Sequence, residues 1–359
     1  MARTLGVVMI ARDEAARIGR AVSSVRGAVD EVLVVDTGSA DATVEVARAA
    51  GARVESFGWV DDFAAARNAS LALSSADVRL VLDADEWLAP GQEAALAALR
   101  ELPAGTAGLV IQRNEVVVGG VSTFSDDPVV RVLPRGARYE GRIHEQPAQY
   151  ARVVQTGIVL EHDGYLPESN AAKRGRNERL LRMDIAAGVA GPYTWYQLGK
   201  DLEVQQRWAE AADAYARADG TGSASAGAGG ADSAGAGGAH TAGTAPWRHE
   251  LVTRRLYVTG RAGRFDQAIA QFGAAEAEFP QSPDLYFVMA DVLLDHALAH
   301  PELAAEILPH VGACLERCLQ IGERPDFHGS VKGRGSVLAE ANLAVWREAT
   351  AALTALSRA

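Results

Sequence analysis

The segment Val81-Leu82-Asp83-Ala84-Asp85-Glu86-Trp87 turns an apolar strand pattern directly into two carboxylates spaced i, i+2. Such a pair at the end of a strand can hold a divalent cation against a diphosphate. Upstream, Glu31-Val32-Leu33-Val34-Val35-Asp36-Thr37-Gly38-Ser39-Ala40-Asp41 follows the same grammar: a β-branched run, an Asp at its C-terminal end, then a Gly-Ser turn. In open parallel sheets ligands sit beyond the carboxyl ends of the strands. Asp36 and Asp83 are therefore expected to face one crevice.

Working outward from these segments, short apolar runs alternate with helical patterns between residues 5 and 112. Leu5 to Ala11, Glu31 to Asp36, Ala52 to Phe57, Val78 to Asp83 and Gly108 to Gln112 read as strands, and the alternation implies a mainly parallel sheet flanked by helices. Ala15, Ile18, Val22 and Val25 form the buried stripe of a first helix. Asp41 is placed to cap the N-terminus of a helix over Thr43 to Ala50, and Gly51 to stop it. From residue 113 to 165 the pattern changes to short strands and turns, with strands expected at Val129 to Leu133, Arg138 to His144 and Val153 to Leu160.

The chain has 359 residues, 48% of them hydrophobic, which suits two domains rather than one core. A net charge of −11 argues against a nucleic-acid partner bound through phosphate neutralisation, and against an anionic membrane surface. The apolar start, Leu5 to Ile10, is interrupted at once by Arg12, Asp13 and Glu14, so it reads as neither signal peptide nor anchor. No run is long enough to span a bilayer, and a cytoplasmic location is expected. The two cysteines, Cys314 and Cys318, lie at i, i+4 helical spacing, which is no metal or redox motif, and read as buried thiols in a reducing compartment.

Beyond Tyr165 the pattern becomes helical. Trp195, Leu198 and Gly199, followed by Ala211, Tyr215 and Ala218, resemble the tetratricopeptide signature, in which small residues on one helix receive large ones from its antiparallel partner. A second copy runs through Ala268, Phe272, Ala275 and Pro280 with its turn at Arg261 to Phe265, and Tyr286 and Ala290 open a degenerate third. Gly220 to Ala245 is almost entirely Gly, Ala, Ser and Thr, and is expected to be a disordered insertion. The expected organisation is a transferase-type α/β domain over 1–165, a connecting helical segment over 166–190 and an all-α tetratricopeptide-like domain over 191–359.

Five motifs in order, Met9-Ile10-Ala11-Arg12-Asp13-Glu14, Val34-Val35-Asp36-Thr37-Gly38-Ser39, Ala66-Arg67-Asn68, Asp83-Ala84-Asp85-Glu86 and Gly141-Arg142-Ile143-His144-Glu145, resemble the family 2 glycosyltransferases. More closely, the chain is similar to the branch that joins this GT-A catalytic fold to C-terminal tetratricopeptide-like helices. That branch includes bacteriocin-type peptide S- and O-glycosyltransferases and enzymes that decorate cell-envelope glycans. The resemblance implies inverting transfer of a hexosyl or N-acetylhexosaminyl group from a nucleotide-diphosphate sugar, most often a uridine one, with Mn²⁺ or Mg²⁺.

The resemblance assigns Asp36 to the uracil, and Glu14 and Arg67 to the surroundings of base and ribose. It places Asp83 and Ala84 against the ribose or the metal shell, and Asp85 on the metal. Hard-oxygen cations of this type take one or two carboxylates and complete their shell with substrate phosphates and water. His162 is a weaker candidate ligand in Glu161-His162-Asp163-Gly164-Tyr165. Glu145 is the candidate base, with His144 its alternate or a further ligand, although many family members carry an acidic pair at this position.

Each assignment has a plainer alternative. Asp36 could cap its own Gly38-Ser39 turn, Arg67 could lie on a solvated helix face, Asn68 could cap a helix, and Arg142 could pair with Glu145 at a strand end. Trp87 reads as packing beneath the site. Lys173, Arg174, Arg176 and Arg179 could clamp a diphosphate or form a solvated basic face. A glycoside hydrolase needs carboxyls facing across a sugar ring, which Asp83 and Asp85 are too close in sequence to do. The Gly38-Ser39 turn also lacks the spacing and lysine of a P-loop. Three functions remain open: a peptide or protein glycosyltransferase whose repeats present a Ser, Thr or Cys acceptor; an envelope glycosyltransferase whose repeats serve assembly, for instance as a homodimer; and a non-catalytic repeat module.

Overall fold

The structure, a computed structural model, describes residues 3–118, 121–162, 175–220 and 245–356. The chain divides into two compact units, one ending at Leu180 and the other beginning at Leu181. In the first unit the central strand is β1 (Leu5–Ala11), buried along nearly its whole length. It pairs in parallel with β2 (Glu31–Asp36) and β4 (Val78–Val81), and β2 pairs in parallel with β3 (Arg53–Ser56). Side chains alternate across a strand, so Leu5, Val7, Met9 and Ala11 pack on one face while Val8 packs on the other.

Helices cover both faces. On the first, α1 (Ile18–Val25) buries Ile18, Ala21, Val22 and Val25. The expected Ala15 lies in the preceding turn, and Ala21 takes its place in the stripe. No side chain caps α1, a loss of about 1 kcal/mol; each buried aliphatic side chain is worth about 1.5–3 kcal/mol, so packing decides. At α2 (Thr43–Ala50) the N-cap position falls on Ala42, one residue later than expected. Asp41 still accepts the Thr43 N–H at 2.9 Å, and Gly51 ends the helix at φ 100°. On the other face, α3 (Phe63–Leu73) packs Ala64 and Leu71 beneath Val8, Leu33 and Val35; α4 (Glu93–Ala98) follows later in the chain.

The second half of the sheet is antiparallel in part and was poorly foreseen. A three-residue strand β5 (Glu86–Leu88) precedes a long hairpin of β6 (Thr106–Val118) and β7 (Val121–Pro134), where only short strands were expected. Arg138 to His144 is not one strand. It gives β8 (Arg138–Glu140), then a turn with Gly141 and His144 at positive φ, then β9 (Gln146–Ala148). The last strand, β10 (Arg152–His162), inserts between β6 and β5, so the sheet runs β3-β2-β1-β4-β7-β6-β10-β5. Because β5 sits four places away from β4 in that order, the Asp83–Asp85 turn spans from the middle of the sheet to its edge. There it meets β7, β6 and β10 from the side.

α5 (Arg176–Ala186) crosses the division between the units. The second unit is helical: α6 (Pro192–Val204), α7 (Trp208–Ala218), α8 (Arg248–Arg261), α9 (Phe265–Glu278), α10 (Pro283–Ala299), α11 (Ala304–Ile321) and α12 (Val337–Leu356). Gly199 lies directly against the ring of the fully buried Tyr215, and the turn expected at Arg261 to Phe265 separates α8 from α9. Both cysteines are free on α11, Cys318 buried and Cys314 half-buried. Burial pushes their thiols up to about 12 and about 11. Among the described residues no helix is long and apolar enough to cross a membrane. The Gly/Ala-rich segment between Gly220 and Ala245 lies outside the described residues, as do Lys173, Arg174 and Asp163 to Tyr165.

Candidate active site

The loops after β1 and β2 are tied to each other. Asp13 adopts a positive φ of 55° and donates its N–H to Ser39 Oγ at 2.9 Å, while its Oδ1 accepts from Ala40 N at 2.7 Å. Glu14 N–H donates to Thr43 Oγ1 at 2.7 Å, and its carboxylate pairs with Arg17 at 3.2 Å. Asp36 is buried and accepts from Gly38 N at 3.1 Å and Ser39 N at 3.2 Å. Its carboxylate thus caps its own turn, the plainer of the two sequence readings, at the end of β2, beside Glu14 in the loop after β1.

Arg67, on α3, does not lie on a solvated face. It is 7% exposed. Nη2 donates to Asp83 Oδ1 at 2.7 Å and Nε donates to Glu145 Oε1. What brings Glu145 there is Asn68, which neither caps a helix nor faces the crevice: its amide bonds both the N–H and the carbonyl of Tyr139 at 2.8 and 2.9 Å, fastening β8 to α3. Arg142 reaches the Asp61 carbonyl at 3.0 Å, so the cation on Glu145 is Arg67 rather than Arg142. Arg179 forks onto the Asp61 carboxylate and, with the Trp59 indole, holds it down at about 2. Arg176 lies over the Phe63 ring.

Arg131, on β7, completes the network and was not foreseen. Its Nη2 donates to Asp83 Oδ2 at 2.7 Å and to Glu86 Oε1 at 2.9 Å. The signal was present: one arginine inside Val129-Val130-Arg131-Val132-Leu133 is a buried charge that requires partners. Burial works to raise the Asp83 carboxyl, but the Arg131 and Arg67 guanidiniums outweigh it and hold the acid well below its usual range. Glu86 is fully buried, and burial raises its carboxyl against the pull of Arg131. Ala84 is buried within the turn, and Trp87 packs beneath the Arg20 guanidinium, 3.4 Å from the ring centre.

On the far side of the turn stand Asp85 and His162. Asn114 Nδ2 donates to Asp127 Oδ2 at 2.6 Å, which turns Asn114 Oδ1 toward His162 Nδ1 at 2.7 Å. The Nδ1 proton is thereby fixed, and Nε2 faces Asp85 Oδ2 at 3.4 Å. In a neutral ring Nε2 is a lone pair, so two acceptors converge and require a proton or a cation between them. Burial would lower the imidazole, yet the Asp85 carboxylate raises it overall. Among the described residues no three His, Cys, Asp or Glu side chains gather as a closed metal cage. One carboxylate and one imidazole with a fixed tautomer fit a divalent cation that completes its shell from phosphate oxygens and water. The histidine that meets Asp85 is His162, while His144 sits in the left-handed turn with its carbonyl held by Gln146 Nε2 at 3.1 Å.

Residues 6–139 match the family model described as Glycosyl transferase family 2. The chain is 33% identical over 224 residues to a TPR repeat-containing protein of Synechococcus elongatus, covering 57% of this chain and 55% of that one. It is 24% identical over 220 residues to the SPbeta prophage-derived glycosyltransferase SunS of Bacillus subtilis, covering 58% and 51%. The chain thus spans about half the length of the curated relatives it matches. Among solved structures it is similar to glucosyl-3-phosphoglycerate synthase of Mycobacterium tuberculosis, described in complex with Mn²⁺, UDP-glucose and phosphoglyceric acid, at 20% identity and a TM-score of 0.35 over 52% of this chain and 81% of that one.

Proposed function

We propose, on the match of residues 6–139 to the glycosyl transferase family 2 model, that the chain is an inverting, metal-dependent transferase that moves a hexosyl or N-acetylhexosaminyl group from a UDP-sugar to a Ser, Thr or Cys of a peptide or protein. The observation that supports this most is the Asp85–His162 pair, a carboxylate and an imidazole 3.4 Å apart, joined through the Asp83 turn and Arg67 to a second carboxylate, Glu145. Mn²⁺ or Mg²⁺ held by Asp85 and His162 would stabilise the charge that develops on the departing diphosphate. Asp83 keeps its charge and offers its remaining lone pairs to the ribose hydroxyls, and Asp36 and Glu14 border the place of the base. Glu145 gives Oε1 to Arg67, which leaves Oε2 to take the acceptor proton as the acceptor attacks the anomeric carbon opposite the leaving group.

A peptide acceptor is supported by the resemblance to peptide-modifying transferases and by the helical unit. Between α10, α11 and α12 that unit holds an apolar groove of about 620 Å³ lined by Leu294, Leu298, Leu308, Val345 and Trp346. Grooves of this kind suit extended or helical peptides. The test is a calorimetric titration with UDP, GDP, CDP and dTDP, each with and without Mn²⁺. UDP-selective, Mn²⁺-enhanced binding is expected, and no binding of any nucleotide would leave the acidic turns as structural devices.

A further inference from the structure

Five ionisable side chains alternate in sign through the first unit: Glu145, Arg67, Asp83, Arg131 and Glu86. The chain ends in a ring. Arg131 Nη2 bridges Asp83 and Glu86, Glu86 Oε2 accepts the Asp83 N–H at 2.9 Å, and Glu86 N–H donates back to the Asp83 carbonyl at 3.1 Å. Gln112 donates to Glu86 as well, so both oxygens of the wholly buried carboxylate are engaged. The four-residue turn between Asp83 and Glu86 is thereby closed by side chain and main chain together, and Asp85 is the member whose side chain is left to point at His162.

A buried ion network of this size is an expensive way to hold a turn, because well-packed apolar side chains would give equal or greater stability. What it supplies is fixed direction. At one end of the alternating chain is Glu145 and at the other the closed ring that carries Asp85, and a displacement reaction loses about 10²-fold when its parts are misplaced by about 1 Å. We infer that Arg131 is a positioning residue: by closing the ring on Glu86 it sets the aim of Asp85 at His162, and through Asp83 and Arg67 it ties that aim to the place of Glu145. The inference rests on the donor-site reading above, and its test separates the two.

The experiment uses the full chain as wild type, as the double variant Arg131→Gln with Glu86→Gln, and as Arg131→Lys. The double variant removes one cation and one anion together, leaving the network's net charge unchanged. Arg131→Lys keeps a cation able to donate to both carboxylates. Calorimetry with UDP, with and without Mn²⁺, is paired with a thermal melt and a crystal structure of each protein. The double variant is expected to keep its melting midpoint and its metal-free UDP affinity to within about threefold, and to lose about 10- to 100-fold of the Mn²⁺-dependent gain in affinity. Arg131→Lys is expected to recover most of that gain. In the crystal the Asp85 carboxylate of the double variant is expected to swing away from His162. A double variant that keeps both the Mn²⁺ gain and the 3.4 Å approach of Asp85 to His162 would overturn the inference. If wild type itself binds no UDP, the donor reading fails and the Asp85–His162 approach alone decides the positioning claim. Should the double variant not fold, Glu86→Gln alone opens the ring and is decided by the same approach.

Discussion

Two buried charge networks among the described residues, one in each unit, are finished differently. In the first unit the Asp83 network ends on a carboxylate and an imidazole, Asp85 Oδ2 and His162 Nε2, facing each other at 3.4 Å. In the second unit Glu250 lies among His328 at 3.0 Å, Lys200 at 3.6 Å and Arg254, and Arg254 in turn pairs with Glu203 at 2.9 Å. There the Glu250 carboxylate is met by donors on both of its oxygens. The second network pins the segment between α11 and α12 onto α8, with Arg334 on Asp284 at 3.0 Å as a further tie. The second network ties helices and the segment between them together, while the first ends on a carboxylate and an imidazole, two groups that bind divalent cations.

The comparison breaks most visibly at Asp85. Asp85→Ala removes the carboxylate that faces His162, and Mn²⁺-dependent turnover of a UDP-sugar is expected to fall on the order of 10³-fold or more, with the melting of the helical unit unchanged. Unaltered turnover would end the metal assignment. Glu145→Gln is expected to lower kcat by about 10²- to 10³-fold while UDP affinity stays within about threefold, the split expected of a base that does not contact the donor. A parallel loss of UDP affinity would make Glu145 part of the donor pocket instead.

The same two regions show how far the sequence could be read. β1 and β2 were legible to the residue, because a run such as Leu5-Gly6-Val7-Val8-Met9-Ile10-Ala11 is buried on both faces and bounded by charge. The acidic turn was legible too, since its spacing is local. What could not be read is the set of partners that depends on sheet order. Arg67 meets a residue 78 positions away, Arg131 one 48 positions away, and His162 one 48 positions away. The first follows from β8 docking on α3 through Asn68, the second from β7 pairing beside β4, and the third from β10 pairing beside β6, each a choice made by long-range pairing rather than by any local pattern. Asp36 shows the reverse: its local cap, readable from Asp36-Thr37-Gly38-Ser39 alone, is the geometry observed.

The closed network predicts a pH dependence of its own. Burial works to raise the Glu250 carboxyl, but the hydrogen bond from His328 and the charges of Lys200 and Arg254 hold it far below its ordinary value of 4.5. With the folded value below the unfolded one, its contribution is complete above pH 4.5 and is lost as the pH falls through that value toward the folded one. Thermal melts of the helical unit between pH 6 and pH 3 should therefore show a steep loss that Glu250→Gln flattens, at a cost of about 2–3 kcal/mol near neutral pH. Equal acid sensitivity in the variant would place the acid-labile group elsewhere.

The smallest effect separates packing from charge within the helical unit. Gly199 on α6 and Gly273 on α9 are both mid-helix glycines, and replacing either with Ala gains about 0.5–1 kcal/mol of backbone preference. At Gly273 a new Cβ meets nothing within 4 Å, so the gain should survive as a slightly higher melting midpoint. At Gly199 the same methyl group would overlap the ring of Tyr215, which is fully buried and anchored by its hydroxyl to Glu203 at 2.7 Å. An anchored ring cannot step aside without breaking that bond, and overpacking of this kind costs about 1–3 kcal/mol. The two terms oppose each other, and the larger wins: Gly199→Ala should lower the midpoint where Gly273→Ala raises it. A rise at both sites would mean that Tyr215 yields, and that the α6–α7 pair is held by its charges rather than by the fit of glycine to ring.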